Sequence, residues 1–439
     1  MTSQSAVDAQ NTGSRRKRGL LARLLGAAVA LVLLWMVARN VPWDDVLVMH
    51  VEQAGETVHE LSFTGEIEGD WKTSSVRFVA DLPSVWELRE ERPQAWSALP
   101  EALRHELQGE HPLTLRENSL TLAAGTAIGF PLLEWRPAIG RVFGDLQWTA
   151  LLPAMGLLFL CSVFIVTRWW RLLAVMGCAT RWMGALRVTY VGLFFNVLVP
   201  GSSGGDLARV WLVIKGHPES RPQAFMSVIL DRVLGLAAMG LLAAGAVLGN
   251  DSRFEILRLP VSLVALAMIA GLLAMGSQGL RRLIRLDAIL KRLPQGERLA
   301  RMDAVLCSFA SRPGEVLLAL ALSIGNHVGA SMAVATLGTA LGADLSLLDY
   351  VCIATVVNTL TAVPISPGGL GVGEVLSGSL FVLAGESLTL GVATSVTYRI
   401  CLALLGLAGG VVLLAPGGRQ LRGDFETASR ELAGEGPGV

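Results

Sequence analysis

The stretch FFNVLVPGSSGGDLARVWLV, residues 194–213, decides how the chain is read. It opens as an apolar run fit for a bilayer, breaks at Pro200, Gly201, Gly204 and Gly205, then resumes with Asp206 and Arg209 inside it. A backbone at membrane depth must satisfy its own polar groups, and a Pro/Gly break survives there only when buried in protein or lining a wet cavity. The question is whether this break lies inside the membrane.

Composition places the chain in lipid. Apolar residues make up 52% of it and charged residues only 16%, against about a quarter charged in soluble domains. A spanning helix needs about 20 mostly apolar residues. Six stretches qualify: 20–38, 147–168, 224–249, 257–276, 314–342 and 388–415. The first follows Arg15-Arg16-Lys17-Arg18 and has no small-residue cleavage pattern before Arg39, so it is expected to be an uncleaved anchor. The five cysteines follow no metal-ligand spacing and read as small buried apolar residues.

Lys and Arg near span ends stay cytoplasmic. The basic N-terminus (1–38, with the anchor) therefore starts inside. Residues 39–146 fall outside and hold 18 Asp/Glu against nine Lys/Arg. The second span ends inside at Arg168-Trp-Trp-Arg171. The linker 277–313, with eight basic and three acidic residues, is inside, as is the polar tail 416–439 with Arg419 and Arg422. Both termini are thus expected in the cytoplasm of a cell-membrane protein. For the spans at 224–249 and 257–276 to reach the linker correctly, residues 182–222 must begin and end inside. The segment 186–214 then reads as a re-entrant hairpin, each arm too short to cross.

A second stretch rhymes with it. VVNTLTAVPISPGGLGVGEVL, residues 356–376, also sets an Asn on an apolar arm (Asn196, Asn358), then Pro (Pro200; Pro364 and Pro367). A Gly pair follows (Gly204-Gly205, Gly368-Gly369), then a carboxylate (Asp206, Glu374). Each copy puts an arginine inside the next long span: Asp206 to Arg232 is 26 residues and Glu374 to Arg399 is 25. By charge the second hairpin, 349–385, starts and ends outside. The expected fold is an all-α polytopic membrane protein of about six full spans plus two re-entrant hairpins as inverted repeats (147–276 and 314–415), with a small mixed α/β extracytoplasmic insertion. Paired broken helices in inverted halves point to a transport site.

Charged side chains at bilayer depth cost about 2.5–3.5 kcal/mol each and face a bundle interior or a wet cavity. Arg399 lies about 11 residues into its span, roughly 17 Å deep at 1.5 Å per residue. Its planar fork suits a phosphate; the structural alternative is an ion pair with Glu374. Asp231 and Arg232 are adjacent, point apart around the helix, and each needs a partner, for which Asp206 or Arg209 is the natural choice. The candidate substrate-binding residues are Arg232, Arg399, Asn196, Asn358, Ser202 and Ser203. Asp206, Arg209, Asp231 and Glu374 are candidates for structural pairing, and Asp206 also for a helix cap. His327, near the middle of its span, is the candidate proton carrier, with plain packing as the alternative. The motif Gly-Leu-Gly-Val-Gly-Glu (369–374) lacks the strand–turn–helix context of a dinucleotide fingerprint. No catalytic triad, metal spacing or phosphate loop stands out, so neither an enzyme nor a bound cofactor or metal is expected.

Taken together, NVLVPGSSGGDLARV, VILDRVLGL and PISPGGLGVGE, followed by a late intramembrane arginine, resemble the membrane region of lysylphosphatidylglycerol synthases and the wider flippase-like family that shares it. The resemblance covers about 147–415. It implies a protein that moves lipids or lipid-linked compounds between leaflets. The synthases carry a soluble aminoacyl-transfer domain after this region; here a tail of 24 residues follows, so lipid aminoacylation is not expected. The insertion 39–146 also departs from the family pattern.

Within the insertion, residues 41–130 alternate in the strand manner at ETVHELSFTGEIEGDW and SSVRFVADL. RPQAWSALPEALRHEL reads as a helix and LTLRENSLTLAAG as a hairpin through Glu117-Asn118. This acidic module is a candidate docking surface for an extracytoplasmic partner. Residues 280–293 of the linker suit a helix lying on an anionic inner leaflet. The expected partners are membrane lipids, not nucleic acid. A translocator of an anionic lipid is the leading function; a small-solute or ion transporter and a membrane subunit supporting a lipid or glycolipid enzyme are the alternatives.

Overall fold

The computed structural model describes residues 31–276 and 306–414, except for 33, 36–37, 40, 54–56, 69–74, 110–112, 117–118, 123–126, 130–131, 199–203, 251, 308, 310, 363–365 and 367–368. Most of the first candidate span, the linker 277–305 with the segment 280–293 expected to lie on the inner leaflet, and the tail lie outside the described residues. So do Pro200, Ser202, Ser203, Pro364, Pro367 and Gly368.

The N-terminal part is a seven-stranded antiparallel sheet. Its strands are β1 (Asp45–Gln53), β2 (Thr57–Glu68), β3 (Ser75–Ala80), β4 (Leu113–Arg116), β5 (Ser119–Thr121), β6 (Ala127–Gly129) and β7 (Leu132–Arg136), in the order β6-β5-β4-β3-β2-β1-β7. Three short helices, α1 (Leu82–Glu91), α2 (Pro93–Ala98) and α3 (Glu101–Gln108), leave the sheet after β3. The alternation of β1 and β2 sends Leu47, Met49, Leu61 and Phe63 into one core, where Val85, Trp96 and Leu103 of the helices meet them. The sheet runs past residue 130, where the sequence pattern had ended it: β7 pairs with β1, Leu47 opposite Trp135. That pairing joins strands distant in sequence, which no local alternation reveals.

Asp45 fastens this closure. Its carboxylate accepts from the Ala138 N–H at 2.7 Å, the Ile67 N–H at 3.0 Å and Arg141 Nε at 2.9 Å. The Ile139 N–H donates to the Pro42 carbonyl at 3.0 Å, so the strands entering and leaving the domain are tied at one point. Helix α4 (Ile139–Gly144) follows directly. Trp35, Trp43 and Trp148 are exposed around this junction, as amphipathic indoles are at a membrane–water boundary.

The remainder is helical: α5 (Leu151–Val175), α6 (Trp182–Leu198), α7 (Gly204–Gly216), α8 (Arg221–Gly249), α9 (Glu255–Gly276), α10 (Pro313–Leu341), α11 (Leu347–Thr361), α12 (Val372–Leu383) and α13 (Leu388–Leu414). Five of these, α5, α8, α9, α10 and α13, are long and apolar enough to cross a membrane. The chain is thus a multi-pass membrane protein with an appended sheet. Start signals are local. Pro222 and Pro313 sit in first turns, and Ser346 with Asp349 forms a reciprocal cap, Ser346 Oγ accepting from the Asp349 N–H while the Asp349 carboxylate accepts from the Ser346 N–H.

The packing follows a pattern. Helix α5 lies along α10; the short α6 packs on the long α13, and the short α11 on the long α8. Helices α7 and α12 each pack on the long helix that follows them. Helix α9 leans on α8 and is otherwise almost unburied. Membrane helices gain little from hydrophobicity against lipid and associate through close backbone approach at small residues. The α6–α13 seam does so: a Cβ on Gly409 would lie 2.0 Å from the Tyr190 carbonyl oxygen, and one on Gly406 2.7 Å from Val197.

Gly409→Val therefore should lower stability by about 1–3 kcal/mol through overpacking. Gly245→Ala, with nothing within 4 Å of the added methyl, should not. Thermal unfolding of both variants in detergent checks the contrast.

Candidate functional site

Two charged sites stand where the short helices α7 and α12 begin. In the first, Asp206 occupies the opening turn of α7, and its Oδ2 accepts from Arg232 Nε of α8 at 2.7 Å. Arg209, one turn further, reaches Asp206 Oδ1 at 3.7 Å and Asp231 Oδ2 at 3.3 Å. Arg168 of α5 binds the other oxygen of Asp231 at 2.7 Å and donates through Nη1 to Ser323 Oγ of α10 at 2.6 Å. The Arg209 guanidinium also lies over the Trp169 ring, 4.0 Å from its centroid. Arg168, Arg209 and Asp231 are buried, whereas the Arg232 side chain is 51% exposed.

Glycines make this approach sterically feasible. A Cβ on Gly205 would fall 2.2 Å from the Gly192 carbonyl oxygen, and one on Gly192 3.0 Å from Arg209 Cγ. Asn196 closes the two arms: its Oδ1 accepts from the Gly205 N–H at 2.8 Å. His327 of α10 meets the Gly235 carbonyl through Nε2 at 3.0 Å. That contact links α10 to α8 beside Arg168, which fills the space left by Gly235.

In the second site, Glu374 opens α12. Its Oε2 accepts from the Gly371 N–H at 2.7 Å, and Oε1 meets Arg399 Nε of α13 at 2.5 Å. Arg399 Nη2 donates to the Gly369 carbonyl at 2.7 Å. Gly369 and Gly371 have φ of +69° and +80°, left-handed values that glycine adopts without a Cβ clash. Gly373 leaves room for the guanidinium, since a Cβ there would lie 2.3 Å from Arg399 Nη2. Asn358 sits half-buried on α11, its backbone carbonyl capping the helix end by accepting from the Ala362 N–H at 3.0 Å.

The structure thus joins Asp206 to Arg232 and Glu374 to Arg399, the pairs separated by 26 and 25 residues. It also gathers Arg209 and Asp231 into the first cluster, and brings His327 to its edge. Residues 122–410 match the family described as the Lysylphosphatidylglycerol synthase TM region. The chain belongs to that family. No curated protein was found to match the chain. Within this family chain, the match takes in both hairpins, both arginine-bearing helices and β6 and β7, while most of the sheet precedes it.

One member of the site escaped the sequence reading. Arg168 had served as a mark of the membrane edge, yet it lies inside α5, which runs on to Val175, and it is buried against Asp231. The available signal was the apolar Leu172-Leu173-Ala174-Val175 beyond it, which continues the helix past the charge. Ser323 and Trp169 carried no signal of their own. Neither of two cavities among the described residues, about 100 Å³ beside Trp169 and His217 and about 290 Å³ beside Asn250 and Asp349, is lined by Arg232 or Arg399.

Asp231 is shared by two buried guanidiniums, so Asp231→Asn should cost about 3–5 kcal/mol by leaving Arg168 without a carboxylate and Arg209 with only its 3.7 Å contact to Asp206. Replacing the triad together, Arg168→Met, Asp231→Leu and Arg209→Met, should restore most of that loss. Denaturant or thermal unfolding in detergent, wild type against single and triple variants, measures both.

Proposed function

We propose that this protein translocates an anionic lipid or lipid-linked compound between leaflets, without covalent chemistry. The observation that carries the reading is the matched pair of carboxylate–arginine contacts at the breaks of two hairpins. Two short-helix pairs with the same breakers, the same pairing and exchanged long-helix partners are what inverted repeats would give. Helix α9, which among the described residues packs mainly on α8, is then the odd crossing that turns the second copy over. In this reading both hairpins are re-entrant, the sheet stands outside the cell membrane, and both termini lie in the cytoplasm.

Arg232 and Arg399 would each receive a headgroup in turn, assisted by Asn196, Asn358, Ser202 and Ser203. A lipid phosphate carries acceptors that match a guanidinium fork. Family membership supports a lipid as cargo over a soluble solute. His327 would act as the proton carrier if the cycle is coupled to protons.

Proteoliposomes containing fluorescent phosphatidylglycerol, read by bleaching of outer-leaflet probe, test the proposal. The expected result is lipid exchange well above empty vesicles, reduced about tenfold or more by Arg399→Ala or Arg232→Ala, as for loss of a charge-assisted contact. Well-folded protein that leaves exchange at the empty-vesicle level across anionic and polyprenyl-phosphate lipids would defeat it.

A further inference from the structure

The two hairpins are not equivalent in charge. Counting three residues on from the carboxylate, Arg209 in the first matches Ser377 in the second; one before the arginine, Asp231 matches Tyr398. Ser377 donates to the Gly391 carbonyl at 2.8 Å and meets no ion. Among the described residues the second site sets one carboxylate against one guanidinium, with Arg399 Nε against Glu374 and Nη2 donating to the Gly369 carbonyl. The first sets three guanidiniums (Arg168, Arg209, Arg232) against two carboxylates (Asp206, Asp231), an excess of one positive charge.

The excess is placed where an anion would meet it. Among the described residues Arg232 gives Nε alone to Asp206, and its side chain stays half-exposed. The thirteen-residue α7 begins beside it, and a helix N-terminus favours negative charge. Arg209, with its side chain 8% exposed, reaches towards that first turn, yet its Nε and Nη2 have no hydrogen-bond partner among the described residues. Unused buried donors are costly, and stacking on Trp169 offsets only part of that. A cluster serving stability alone gains nothing from the surplus cation, whereas an incoming oxyanion would use it.

We propose that the first hairpin is the phosphate-binding site of this conformation, with Arg232 as the accessible contact and Arg209 as buried electrostatic backing, while the second hairpin's pair is closed to anions in it. The ligand class is a phosphate ester, as in a phospholipid headgroup, or inorganic phosphate. The lipid occupant rests on the translocator reading above; the site itself does not.

Calorimetric titration of the full chain in detergent with dioctanoyl-phosphatidylglycerol, dioctanoylglycerol and inorganic phosphate tests this. Arg232→Gln should weaken phosphatidylglycerol binding about tenfold, and Arg399→Gln less than about threefold. Asp206→Asn, which frees Arg232 Nε, should tighten binding, a change of sign that a purely structural role does not produce. Should Arg232→Gln misfold, Arg232→Lys keeps the charge and loses the fork, and a smaller weakening is expected. Inorganic phosphate that binds as tightly as the lipid, and depends on Arg232, upholds the site with a free anion as its ligand. Equal losses at Arg232 and Arg399, weaker binding by Asp206→Asn, or dioctanoylglycerol binding as well as phosphatidylglycerol would each overturn the proposal. Arg232-dependent binding without lipid exchange in vesicles would defeat translocation and spare the site; exchange without Arg232-dependent binding would do the reverse.

Discussion

A guanidinium inside an apolar bundle must be met by a carboxylate, and much of the membrane part is arranged around that requirement. Arg232 and Arg399 stand on long helices. Their partners Asp206 and Glu374 come from the first turns of short helices, where the helix dipole already favours a negative charge. To deliver a carboxylate there, the chain ends one helix and starts another just before Asp206 and Glu374. The glycines at 192, 205 and 373 then let backbone and guanidinium approach within distances no side chain would allow. Pairing, breaks and small residues are one device.

The same device explains why the packing is interlaced. Each hairpin is tied by charge to the long helix that follows it, while its first arm packs on the long helix of the other half: α6 on α13, α11 on α8. Neither half buries itself alone. The first hairpin carries the heavier electrostatic load, with Asp231 shared between Arg168 and Arg209 across three helices. The second relies more on backbone, through the left-handed glycines and the Gly371 N–H that fixes Glu374.

Much of this was legible in the sequence, because spacing along a chain encodes which helix ends can meet. The near-equal separation of carboxylate and arginine in two Gly/Pro-broken stretches brought Glu374 forward as the alternative partner of Arg399 and Asp206 or Arg209 as partners near Arg232, and adjacency of Asp231 and Arg232 foretold that they would seek different partners. Arg168 was not legible: a cation at the end of a span and one buried a few residues earlier look alike until the helix end is known. Partner exchange between the halves was hidden for a related reason, since apolar faces of membrane helices carry no periodic contrast between lipid and protein. In the insertion, local alternation disclosed β2 and β3, but β7 depends on a strand more than 80 residues upstream and had no local mark.

The knot at Asp45 bears on how the sheet is held to the helices. Because Pro42 is bonded to Ile139 and Asp45 to Ala138, the chain rises into the sheet and leaves it through adjacent roots. A body on two neighbouring roots does not swing like a pendant module on a tether. Helix α4 continues from those roots and rests on α13, which bears Arg399. The sheet is thus held to that helix at its root, through α4, and not by a free linker.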